Sequence, residues 1–126
     1  MFEAINRERV QLDLDPLELD GRLIYLARFR SQDMVDNDYF SHLAPDGATA
    51  RSLMIAARIG PGLMGEILGR NNAPDISESV ASVIEAFMNS PGHRRTILDS
   101  RFTSAGLGIA IGPGEMKYYT VLFFGP

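Results

Sequence analysis

A chain of 126 residues, 45% of them hydrophobic and 22% charged, can bury one core and lies far from the composition of a disordered segment. Its 12 basic and 16 acidic residues leave a net charge of −4, without the broad positive surface that a nucleic-acid backbone requires. No cysteine occurs, which excludes disulfide frameworks, thiolate metal sites and cysteine nucleophiles.

Residues 1–9 are charged and lack the apolar run of a signal peptide, a start compatible with a secretory leader removed beforehand. No stretch approaches the ~20 apolar residues of a membrane span. Residues 2–12 read as a short helix with Phe2, Ile5 and Leu12 inward. Asp15-Pro16-Leu17-Glu18 then offers a cap, a proline for the first helical position and a glutamate three residues after the cap. It predicts a helix over 16–35 whose core stripe is Leu19, Leu23, Leu26, Ala27 and Met34. Arg30 falls on that stripe; the favoured reading packs its stem and lets the guanidinium reach solvent, rather than entering a partly buried ion pair.

A turn-rich loop at 37–47 carries Tyr39, Phe40 and His42. The two aromatics are expected to plug the core beneath it. Residues 49–59 read as a helix closed by Gly60, and 63–70 as a strand. Another helix begins at Ser77 and Glu78, with Ile76, Val80, Val83, Ile84, Phe87 and Met88 on one stripe, and Pro91 ends it. Asp75, Glu78 and Glu85 belong to its first turn or its surface and receive no catalytic part. Strands over 102–111 and 116–124 flank Gly112-Pro113-Gly114 as a hairpin, and Gly106 and Gly108 on one strand face predict close helix packing there. Four helices and three strands, with the hairpin last, predict a single α+β domain over 1–126: an α-β-α sandwich with a small, mainly antiparallel sheet.

The chain has no phosphate-binding glycine loop, nucleophile elbow or His-Glu-x-x-His motif, and two histidines alone are thin evidence for chemistry. An ordered set of matches carries more. Asn6-Arg7, Asp15-Pro16-Leu17, Tyr39-Phe40-Ser41-His42, Pro45-Asp46-Gly47, Gly65-Glu66, the run from Phe87 to Arg94 containing Ser90-Pro91-Gly92-His93, Gly106-Leu107-Gly108 and Phe123-Phe124-Gly125 resemble the CAP superfamily. That is the superfamily of cysteine-rich secretory proteins, antigen 5 and pathogenesis-related proteins, here in its cysteine-free bacterial form. The resemblance covers nearly the whole chain, and Ser-Pro-Gly-His-Arg after a helix is its most specific part.

The resemblance implies an α-β-α sandwich with His42, Glu66 and His93 in one central cleft. Four positions depart from the pattern. Ile67 and Thr96 stand where bacterial members usually have asparagine, Phe87 where they have tryptophan, and Ser90 near the place of a second glutamate. Two imidazoles and a carboxylate can hold a divalent metal such as zinc with open positions, or form a metal-free polar cluster. The resemblance implies a secreted or cell-envelope module that binds a lipid, small molecule, protein partner or metal. The alternative is a metal-dependent hydrolase of peptides or cell-wall material, with Glu66 as general base.

Overall fold

The computed structural model describes residues 1–126. In chain order the elements are α1 (Phe2–Val10), β1 (Glu18–Leu19), α2 (Gly21–Asp36), α3 (Ala50–Ala56), β2 (Leu63–Asn71), α4 (Ile76–Met88), α5 (Pro91–Ile97), β3 (Ser104–Ile111) and β4 (Lys117–Gly125). The sheet order is β1-β3-β4-β2, with β4 antiparallel to both β3 and β2, and β1 adding a two-residue parallel pairing at the far side of β3. Strand β2 is therefore an edge of the sheet.

The period-2 alternation of β4 divides the interior into two layers. Tyr119, Val121 and Phe123 pack with Ile5 of α1, Val83 and Phe87 of α4 and Ile97 of α5. Leu122 points the other way, to Leu23, Leu26 and Ala27 of α2 and Met54 of α3. Helices thus cover both faces of the sheet, and the expected α-β-α sandwich is the observed one.

On β3 the glycines do the work that their spacing suggested. A Cβ built at Gly106 would lie 2.3 Å from the backbone of Leu23 and Ile24, and one at Gly108 would lie 2.3 Å from Ala27 and Arg28. Backbone atoms cannot swing aside as a side chain can, so α2 itself would have to move. Gly108→Ala is expected to cost about 3 kcal/mol, the upper end of ordinary overpacking, read as a shift in the urea midpoint at unchanged slope.

Several sequence expectations are corrected. The second helix starts at Gly21, with the Asp20 side chain accepting from the Arg22 backbone N–H at 2.8 Å. The Asp15-Pro16 signal fails because α1 claims those residues first. Asn6 exchanges two hydrogen bonds with the Leu17 backbone, and the buried Arg9 donates to the Asp15 carbonyl. Leu17 enters the core, Glu18–Leu19 becomes strand, and Leu19 and Leu12 are exposed.

Pro91 both ends α4 and occupies the first turn of α5, a fifth helix beyond the four expected. Helix α4 opens one residue earlier, at Ile76, and is capped by Asp75, which accepts from Ser77 and Glu78. On its stripe Val83 and Phe87 are buried, Ile84 is half-buried and Ile76 is exposed. Helix α3 stops at Ala56, four residues before Gly60, because Arg58 already turns the chain with φ 61°.

Candidate functional site

Glu66 lies on the α2 and α3 side of β2, and α2 presents Arg30 to it. The Arg30 Nε and one terminal nitrogen donate to the two Glu66 carboxylate oxygens at 2.8 and 2.9 Å, a two-point fork. Both side chains are out of solvent, with 2% and 6% of their surfaces exposed. The outward reading of Arg30 is thereby corrected: its head is buried, because a carboxylate stands opposite to neutralise it. The same terminal nitrogen also donates to the His42 carbonyl at 2.8 Å.

His42 comes from the loop between α2 and α3. Its conformation follows from local bonds: Leu43 N–H donates to Ser41 Oγ, Ala48 N–H to Asp46 Oδ1, and Gly47, at φ 91°, closes the turn back onto Ala44. The loop holds the His42 ring with Nδ1 2.7 Å from Glu66 Oε1. A carboxylate oxygen only accepts, so Nδ1 carries the proton in this contact, and in the neutral ring the lone pair is then the one on Nε2. The ring itself is 65% exposed.

His93 is in the first turn of α5, half-buried, its ring centroid 5.2 Å from that of Phe87. Burial holds its pKa below the usual histidine value, and the charge of nearby His42 adds to the depression. Of the three residues named from the sequence, His42 and Glu66 meet directly, while His93 shares no hydrogen bond with either and senses His42 through its charge. His42 and Glu66 touch and line one pocket of about 260 Å³. His93 lines a separate pocket of about 300 Å³. No group of three or more His, Asp or Glu side chains stands in metal-holding geometry.

The variant positions are accounted for locally. Ile67 points to the opposite face and is buried in the main core, while Thr96 donates back to the Gly92 carbonyl. Phe87 fills the core position and Ser90 caps α5 without a side-chain bond. Tyr39 is half-buried and donates to Asp33, and burial, then that bond, pushes its pKa up. Phe40 does not plug the core as expected; it is exposed and stacks under Arg70.

Helices on both faces of a small mixed sheet, with a carboxylate-braced histidine at its edge and a second histidine beside it, define a class of sandwich domains. The chain belongs to the cysteine-rich secretory protein family, CAP, whose model matches residues 2–124, and it is a cysteine-free form. It is 36% identical over 108 residues to the uncharacterized protein YkwD of Bacillus subtilis, and 28% over 123 residues to the uncharacterized membrane protein YlbC of the same organism. Those matches take in 86% and 98% of this chain, and it spans only 40% and 33% of the two relatives. Among solved structures, an outer surface protein from Borrelia burgdorferi shares the fold at TM-score 0.86 and 22% identity, over 98% of this chain and 88% of that one. An extracellular SCP-domain protein from Bacillus anthracis matches at TM-score 0.82 and 30% identity, over 99% of this chain and 39% of that one.

Proposed function

We propose that this chain is a secreted or cell-envelope binding module whose cleft at the β2 edge takes an exchangeable divalent metal such as zinc between His42 and His93. The observation that carries this reading is the Glu66 bridge. One carboxylate accepts from His42 Nδ1 and from the Arg30 fork, which fixes the tautomer whose Nε2 lone pair is free. His42 and His93 would be the ligands, and Glu66 would orient rather than ligate. A bound ion would supply a Lewis-acidic point for an oxygen atom of the partner. Two imidazoles leave coordination positions open, the pattern of a non-structural site. Localisation outside the cell rests on likeness to proteins named as extracellular or outer-surface.

The hydrolytic alternative needs Glu66 to take a proton. Both carboxylate oxygens are already engaged, by the two-point Arg30 fork and by His42 Nδ1, and the side chain is buried, so Glu66 is placed to orient its neighbours rather than to reach a water, and the binding reading is preferred.

Calorimetric zinc titration is the test. Binding is expected at neutral pH, with the His42→Ala, His93→Ala double variant losing it and circular dichroism unchanged after chelation. Glu66→Gln should weaken binding about 10–100-fold, as loss of an orienting partner does. Acid should weaken it too, since imidazolium has no lone pair to give. His93, with its lowered pKa, keeps its lone pair to a more acid pH than an ordinary histidine near ~6.5. Full binding by the double variant would overturn the assignment.

A further inference from the structure

The pocket beside His93 has a chemistry of its own. It opens on the edge of the sheet, walled by Leu68, Gly69 and Arg70 of β2, by Phe40 of the histidine loop, and by Ser90 and His93. None of its lining residues is acidic. The Arg70 guanidinium lies 4.5 Å from the Phe40 ring centroid and 6.0 Å from that of Tyr118. Stacking of this kind fixes the plane of the guanidinium and leaves its N–H edge free to donate. The four ion pairs of the chain use Arg22, Arg30, His42 and Arg101 as their cations, so no carboxylate of the chain itself neutralises Arg70.

We propose that this pocket takes the terminal carboxylate of a short peptide, gripped by the Arg70 fork, with the peptide backbone following the outer edge of β2. The planar, pre-oriented guanidinium matches a carboxylate in two-point geometry. A peptide fits better than a bare anion because β2 ends the sheet and residues 68–71 line the pocket with no strand on their outer side. Strand edges of this kind recognise extended peptides through main-chain hydrogen bonds. Leu68 and Phe40 supply apolar contact for a small side chain, and the Ser90 hydroxyl, which caps no helix nitrogen, is free to bond. His93 is shared with the metal reading, but peptide capture requires no metal.

The experiment is a nitrogen-15 NMR titration with N-acetyl-alanyl-alanine in the presence of a chelator, compared with its C-terminal amide and with inorganic phosphate. The acid should shift amide signals at 68–71, Phe40, Ser90 and His93 saturably, with the amide at least about tenfold weaker, as expected for loss of a charge-assisted contact. Arg70→Gln should weaken the acid by a similar factor, and His42→Ala, which removes the metal reading, should leave it unchanged. Arg70→Lys keeps the charge without the fork and should also weaken the acid, which guards against a folding defect in the glutamine variant. Equal binding of acid and amide, or full binding by both Arg70 variants, would overturn the proposal. Phosphate shifting the same signals as strongly would overturn it in favour of a general anion site.

Discussion

Glu66→Ala is expected to lower the unfolding free energy by about 3–5 kcal/mol, the usual cost of removing one partner of a buried ion pair. The magnitude comes from what is left behind. Arg30 is 2% exposed, one of its terminal nitrogens is already buried without a partner, and Glu66 is the carboxylate in direct contact with it. Its remaining anchor would be the His42 carbonyl. Replacing both members with apolar residues of similar volume, Arg30→Met with Glu66→Leu, should recover most of the loss, because no unpaired charge remains. The fold would then survive while His42 loses its orienting carboxylate, so zinc affinity should fall even where stability returns. Urea unfolding of the single and double variants measures the first effect and zinc titration the second. A single-variant loss well under about 1 kcal/mol would mean that water reaches Arg30.

The layers were legible because they rest on local periodicity. Val83 and Phe87 follow the helical stripe into the core, and Gly106 and Gly108 sit where α2 crosses β3. The start of α2 was not legible, because a sound capping sequence at Asp15-Pro16 was outcompeted by Asn6 and Arg9, which hold that backbone from another helix. Helix α5 was missed for a related reason: a proline that stops one helix can open the next. The site was legible in its parts. His42, Glu66 and His93 were reached through family motifs, not through spacing. Arg30 carried a signal of its own, a charge on the stripe between Ala27 and Met34, but its partner lies 36 residues away on β2 and only the fold brings the two together. Arg70 gave no signal, since its aromatic partner Phe40 is distant in sequence.

Phe87→Ala is expected to cost about 3–5 kcal/mol as a large-to-small change in a closed core. The ring is 1% exposed and packed from three directions: Val83 one turn back on α4, β2 at Gly69, and the His93 ring. A Cβ at Gly69 would lie 3.0 Å from the Phe87 ring and 2.4 Å from Val83, so strand and helix are already in close contact and cannot collapse readily into the space. The variant should also change how stability depends on pH. Burial, then the charge of His42, holds the His93 pKa below its ordinary value, so on acidification the unfolded chain takes up this proton before the folded one. The stabilising contribution of neutral His93 is therefore complete above about 6.5 and is lost as pH falls through the lower folded pKa. A cavity in place of the Phe87 ring admits water to His93, eases that burial and brings the two pKa values together. The acid-side fall in stability should accordingly be shallower in Phe87→Ala than in the parent, and His93→Gln should remove this component in both backgrounds. Urea midpoints measured between neutral pH and about pH 5 give both quantities. An acid-side slope in the parent that His93→Gln leaves unchanged would show that other groups carry the pH dependence.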